Sequence, residues 1–325
     1  YLVHEVEEGM FLWEPSETWK QQSNLMKYLH WLNKNKNMIF NQYTDLWQWS
    51  VTEIESFWES IWQYFNISHS KTYNHVLAKR KMPGTRWFNG AKLNYAEHVF
   101  RHQLDEEIAV ISKSEVRPAV HMLSWKELHE QTAAAAALLM EYGVKPGDRV
   151  VGYMPNIPET IISFLACASI GAIWSCCSPD FGSATVVDRF KQIEPKLLIT
   201  VDGYRYRGKD YPRISVIKEL QEAIPSIEHT ILLPYLENNP DINGLKNTDF
   251  WDFMLQKHKC KNVITFAQVE FNHPLWILYS SGTTGLPKAI VHSHGGILLE
   301  HLKQCHLQMN LKHKDRFFWY TTTGW

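Results

Sequence analysis

From about residue 105 onward the chain alternates short apolar runs with amphipathic segments, and this alternation limits the fold more than any other feature of the sequence. Residues 108–112, 119–123, 150–153, 172–175, 196–201, 230–233 and 275–279 read as strands. Between them, Ser124 and Glu127 form a capping box that opens a helix through the alanine run to Tyr142, where Gly143 ends it. Pro158 opens a second helix that Gly171 stops, and further helices are predicted near residues 184–193, near 214–223 and from about Gly296. Repeated strand–helix alternation predicts an α/β fold, a largely parallel sheet covered by helices, with ligands bound at the loops beyond the carboxyl ends of the strands.

The first part of the chain has a different texture. Trp13, Trp19, Trp31, Trp47, Trp49, Trp58, Trp62 and Trp87 all precede Phe88, so residues 1–100 are expected to form a Trp-rich module and residues 101–325 the sheet domain. Ser50 and Glu53 read as a capping box for a helix whose Ile54, Phe57, Trp58, Ile61, Trp62 and Phe65 share one face. Such a stripe is expected to pack against the neighbouring domain rather than to form a ligand platform.

Charge and cysteine content remove several functions. Lys plus Arg total 33 and Asp plus Glu 34, a net charge of −1, so the electrostatic footprint of a nucleic-acid binder is missing. Five cysteines without a C-x-x-C pair argue against a disulfide scaffold or a zinc knuckle. His301 and Cys305 share a predicted helical face, but two ligands do not make a metal site, and none is expected. Residues 160–179 lack charge, yet their serines, Gly171 and Pro179 suit a helix and a strand better than a membrane span. With no basic and apolar leader among the first residues, a cytoplasmic protein without a membrane partner is expected.

The chemistry concentrates in Ser280, Ser281, Gly282, Thr283, Thr284, Gly285 and Lys288, immediately after an apolar strand. Glycines let the backbone approach an anion, hydroxyls donate hydrogen bonds, and a lysine supplies a point charge, so this is a phosphate-binding loop. The spacing is not that of a Walker loop, since Ala289 stands where its hydroxyl would be. No G-x-G-x-x-G or G-x-S-x-G is present, which removes support for a dinucleotide dehydrogenase and for an elbow-type serine hydrolase.

The loop Y-S-S-G-T-T-G-L-P-K closely resembles that of the adenylate-forming enzymes: acyl-CoA synthetases, luciferases and the adenylation domains of peptide synthetases. The stretch from Trp87 to Glu97, with Phe88, Gly90, Leu93, Asn94, Tyr95 and Ala96, is similar to a signature of the acetoacetate-activating subgroup. So are Gly171-Ala172-Ile173-Trp174, Ser178-Pro179-Asp180-Phe181-Gly182, Asp188-Arg189-Phe190 and Tyr320-Thr321-Thr322-Thr323-Gly324-Trp325.

The resemblance implies a two-step ligase using ATP, Mg2+ and coenzyme A, with acetoacetate as the acid, in lipid and ketone-body metabolism. It implies that Ser280, Ser281, Gly282, Thr283, Thr284, Gly285 and Lys288 hold the ATP phosphates, with Lys288 catalytic. It places Phe181 and Gly182 on the pantetheine arm of coenzyme A, Arg205, Arg207 and Lys209 near its 3′-phosphate, and Trp325 beside the acyl pocket. The family's adenine segment, its ribose-binding aspartate and its C-terminal lid with a catalytic lysine would lie beyond Trp325, so the 325 residues alone are expected to be inactive. Two alternatives stay open: a ligase for another short acid, and a truncated, non-catalytic nucleotide-binding protein.

Overall fold

The computed structural model describes residue 9 and residues 12–101, 106–258, 263–280 and 285–324. The chain divides into two compact units, one comprising Tyr1–Asn66 with Leu299–Phe318, the other Ile67–Leu298 with Trp319–Trp325.

The second unit is built on a seven-stranded sheet. Its strands are β1 (Arg149–Tyr153), β2 (Ile173–Cys177), β3 (Leu197–Val201), β4 (His229–Leu233), β5 (Thr248–Phe250), β6 (Pro274–Ser280) and β7 (Lys288–Ser293), in the spatial order β5-β4-β3-β1-β2-β6-β7. All neighbours run parallel except β6 and β7, which form an antiparallel edge pair. Side chains alternate along the buried strands and sort onto two faces. Val150, Trp174, Cys176, Leu197, Ile199, Val201, Ile231 and Leu233 join one core with the helices Trp125–Glu141 and Pro158–Ser169. Val151, Tyr153, Cys177, Leu198 and Leu232 join another with Val186 and Phe190 of the helix Ser183–Phe190 and with Ile217 and Leu220 of Ile214–Ala223. The predicted helix-covered parallel sheet is present, and the charge-free stretch 160–179 is indeed a helix followed by β2. No helix among the described residues is long and apolar enough to cross a membrane.

Two expectations change. Residues 108–112 and 119–123 do not enter the sheet. Ile108–Ser112 pairs antiparallel with His121–Ser124 as a separate hairpin, its outer residues Ile108, Ile111 and Met122 exposed. The predicted Ser50–Glu53 capping box is absent: Ser50 lies inside the helix Tyr43–Thr52 and its hydroxyl donates to the Trp47 carbonyl, while Gln42 and Asp45 make the capping box that opens this helix, about two turns earlier. The aromatic stripe on Ile54–Tyr64 finds ring partners within its own unit, with Tyr64 5.0 Å from Tyr28 and 5.5 Å from Trp31, and Phe57 5.7 Å from Trp49.

The segment Trp87–Glu97 acquires a physical meaning through Asn94, which is fully buried. Its Oδ1 accepts the N–H of Ala96 at 2.9 Å and so caps the helix Tyr95–Phe100. Its amide group shares two N–H donors among the carbonyls of Ala168, Ser169 and Ala267 at 2.8, 3.1 and 2.9 Å. One side chain therefore satisfies the start of one helix and the end of another, where the backbone has no partners of its own.

His294, also fully buried, begins the helix His294–Leu302. Its Nδ1 accepts the Tyr95 N–H at 3.2 Å, and its Nε2 finds no partner among the described residues. Burial, with His273 nearby, pushes its pKa down to about 3. The unfolded chain takes up a proton near pH 6.5 that the native state refuses, so stability is flat above neutrality and falls as pH drops below about 6.5. Comparing urea midpoints at pH 7.5 and 5.5, the native protein is expected to lose about 1.4 kcal/mol more than His294→Gln. Equal losses would mean that His294 is not held neutral.

Candidate active site at the carboxyl edge of the sheet

The chain leaves β1 for β2 on one side and then crosses back to β3 on the other, so the order reverses at β1, and in such sheets the crevice beyond the carboxyl ends at that point binds ligands. Four of the segments singled out in the sequence collect on that edge.

Ser280 is the last residue of β6 and Lys288 the first of β7, and the two are direct partners in the antiparallel ladder. The loop between them is thereby closed at its base. Lys288 is exposed and makes no ion pair among the described residues. Gly285 has φ 152°, a value L side chains rarely adopt, with open space around it. Ser281, Gly282, Thr283, Thr284 and Trp325 lie outside the described residues.

The loop after β2 carries Phe181 and Gly182. The Tyr153 hydroxyl, at the end of β1, lies 2.8 Å from the Pro179 carbonyl and 2.7 Å from that of Phe181, which fixes this loop over the strand ends. Gly182 is the N-cap position of Ser183–Phe190, and a Cβ there would meet nothing within 4 Å. The helix and the turn that follows it reach the residues flanking the Ser280–Lys288 loop: the Tyr279 hydroxyl donates to the Arg189 carbonyl at 2.6 Å, and Gln192 Nε2 donates to the Pro287 carbonyl at 3.0 Å. The Arg189 guanidinium lies 5.2 Å from the Phe181 ring and 5.8 Å from that of Tyr279.

Arg205, Arg207 and Lys209 sit on a hairpin, Gly203–Tyr206 paired with Lys209–Pro212, rather than on an irregular loop. Arg205 is committed to Asp210, its Nε 2.5 Å from Oδ1 and its Nη2 3.1 Å from Oδ2, which leaves Arg207 and Lys209 without a carboxylate partner among the described residues. Sequence reading overlooked Arg213. Its guanidinium lies 4.9 Å from the Tyr204 ring, which stacks on Tyr211 at 5.0 Å, and its Nε donates to the Pro179 carbonyl at 2.7 Å, so it joins the hairpin to the Phe181 loop. The signal was the alternating Tyr and Arg about an Arg-Gly centre, which is hairpin patterning.

The segment Thr321–Gly324 covers the ends of β1 and β2. Asn156 Nδ2 donates to the Thr321 carbonyl at 2.7 Å and the Thr323 hydroxyl donates to the Met154 carbonyl at 3.1 Å. A Cβ on Gly324 would stand 3.0 Å from the Cys176 carbonyl oxygen, so only glycine seats comfortably there. Beside Thr323 opens a small cavity of about 160 Å³ between Phe164, Trp174, Cys176, Trp276 and Leu278. The Cys176 thiol donates to the Thr323 hydroxyl at 3.3 Å, and burial pushes its pKa up to about 12, so it lines the cavity as a neutral group.

A glycine- and hydroxyl-rich loop whose flanking residues Ser280 and Lys288 pair, a hairpin of cations and a small apolar cavity thus lie along one sheet. The chain belongs to the AMP-binding enzyme family, whose model matches residues 97–325, and residues 43–99 match the acetyl-coenzyme A synthetase N-terminus. Over its whole length it is 37% identical to acetoacetyl-CoA synthetase of Xenopus tropicalis, covering 49% of that protein. It is 35% identical to malonamoyl-CoA synthetase of Penicillium aethiopicum, over 97% of this chain and 45% of that protein. The solved structure of acetoacetyl-CoA synthetase from Streptomyces lividans superposes with a TM-score of 0.90 at 42% identity, covering 96% of this chain and 48% of that one. The chain thus spans about half the length of the curated relatives it matches.

Proposed function

We propose that this chain carries the phosphate-binding and coenzyme A-binding part of an acetoacetate–CoA ligase. In the first step a carboxylate oxygen of acetoacetate attacks the α-phosphorus of ATP, giving acetoacetyl-AMP and releasing pyrophosphate. In the second the thiol of coenzyme A attacks the acyl carbon, and AMP leaves with the bonding electrons of the broken acyl–phosphate bond. The observation that carries the reading is the pairing of Ser280 with Lys288 beneath the glycine- and hydroxyl-rich loop. That pairing anchors the backbone from which Lys288 extends beside the loop, and in this reading its ammonium group stabilises the charge that develops on the leaving pyrophosphate.

Phe181, Gly182, Arg207 and Lys209 serve the coenzyme, and the cavity beside Thr323 receives the acyl group, with Trp325 next in sequence. Mg2+ arrives with the nucleotide as its counter-ion. Among the described residues no three His, Cys, Asp or Glu side chains are grouped to hold a metal. The four described cysteines, Cys167, Cys176, Cys177 and Cys305, are free thiols, which suits the reducing cytoplasm.

The test is competition. With ATP and coenzyme A, the full-length protein offered acetoacetate, malonamate, acetate, propionate and butyrate is expected to release AMP and form thioester fastest with acetoacetate. A clear preference for acetate would remove the acetoacetate assignment and leave the family untouched.

A further inference from the structure

The hairpin that presents Arg207 and Lys209 turns in two residues, because Tyr206 and Lys209 face each other and only Arg207 and Gly208 lie between them. Both have positive φ, 52° and 72°, as a type I′ turn requires, and Arg207 holds that conformation despite its side chain. One carboxylate takes both turn N–H groups: Glu115 Oε1 accepts from Arg207 at 2.9 Å and Oε2 from Gly208 at 2.7 Å. These two bonds hold the Glu115 carboxyl below its ordinary range.

Glu115 comes from the connection between Ile108–Ser112 and His121–Ser124, some ninety positions earlier in the chain, and that connection is itself fixed. The Tyr235 hydroxyl donates to Ser114 Oγ at 2.6 Å, and Arg117 lies 4.9 Å from the Tyr235 ring while pairing with Glu159 at 2.7 Å. The Tyr235 N–H in turn donates at 2.7 Å to Asp202, the residue from which the hairpin springs, and the Arg213 N–H closes the hairpin onto the Asp202 carbonyl at 2.7 Å. Root and tip of the hairpin are therefore held in one hydrogen-bonded circuit running Asp202, Tyr235, Ser114, Glu115.

We propose that Glu115 is a positioning residue for coenzyme A, clamping the hairpin tip so that Arg207 and Lys209 meet the 3′-phosphate. This rests on the coenzyme A role given to the hairpin above. By charge alone a carboxylate beside two cations opposes phosphate binding, so the contribution of Glu115 comes from the bonds it makes.

The experiment measures KM and kcat of the full-length protein for coenzyme A and for dephospho-coenzyme A, which lacks the 3′-phosphate, in the native protein, Glu115→Ala and Glu115→Gln. The native protein is expected to show a KM for dephospho-coenzyme A at least about tenfold the higher of the two. Glu115→Ala is expected to raise the KM for coenzyme A about tenfold while leaving that for dephospho-coenzyme A within twofold, and Glu115→Gln, which keeps one acceptor oxygen, to fall between. If both variants lower the KM for coenzyme A, Glu115 acts only through its charge and the clamp is refuted. If Glu115→Ala raises both constants equally, the residue is a general structural one and the proposal fails. A native protein indifferent to the 3′-phosphate would overturn the hairpin's role itself, a result distinguishable from either of those.

Discussion

Lys288→Ala is expected to slow adenylate formation about a hundredfold, roughly 3 kcal/mol of lost transition-state stabilisation, through removal of a charge-assisted donor to a developing anion. The ladder pairing with Ser280 holds Lys288 at the mouth of the loop, and no carboxylate among the described residues competes for it. Pyrophosphate has departed before the thiol attacks, so thioester formation from preformed acetoacetyl-AMP should change by no more than a few-fold. ATP–pyrophosphate exchange and single-turnover thioester formation measure the two halves separately. Equal losses in both would remove the phosphate-loop role from Lys288.

Asn94→Ala is expected to cost the second unit about 3–5 kcal/mol, because the substitution strips the donor from three buried carbonyls and the cap from a helix at once. Asn94→Asp should be at least as damaging although it keeps the shape, since it sets a carboxylate against the carbonyls of Ala168, Ser169 and Ala267. Urea denaturation of the two variants against the native protein checks both figures. A loss below about 1 kcal/mol for Asn94→Ala would mean that water replaces the amide without penalty.

The alternation of strands and helices was legible where elements are announced locally, by apolar runs in β1 to β4 and β6, a proline at the start of Pro158–Ser169 and a capping box at Ser124 and Glu127, whereas the edge strands β5 and β7 were not predicted. The glycine- and hydroxyl-rich loop was visible as composition, and the structure adds the pairing of Ser280 with Lys288 at its base. The remainder depends on contacts between residues far apart in the chain, which no local pattern carries. In the sequence Asn94 stands out only as part of the stretch Trp87–Glu97, whereas its amide donors reach carbonyls 74 to 173 positions away. Ser50 and Glu53 have the spacing of a capping box, but Ser50 belongs to the preceding helix Tyr43–Thr52, and Ile54–Tyr64 begins after Glu53 without a side-chain cap. Arg205, Arg207 and Lys209 looked alike in the sequence, and only the cross-strand position of Asp210 separates the neutralised cation from the two available ones.

The first unit is assembled from two stretches far apart in the sequence, Tyr1–Asn66 and Leu299–Phe318. The backbone N–H of Asn24 donates to Asn310 Oδ1 at 2.8 Å, and its side chain donates to the carbonyls of His306 and Leu311 at 3.1 and 2.8 Å, partners more than 280 positions further on. Synthesis runs in sequence order, so these three bonds of the buried Asn24 cannot form until that distant stretch has been made. The whole sheet unit is synthesised in the interval. The earlier stretch of this unit is therefore completed only after the strands of the sheet have been made, whereas its local ring pairs, such as Trp31 with Tyr64 at 5.5 Å and Trp49 with Phe57 at 5.7 Å, need no distant partner and can form beforehand.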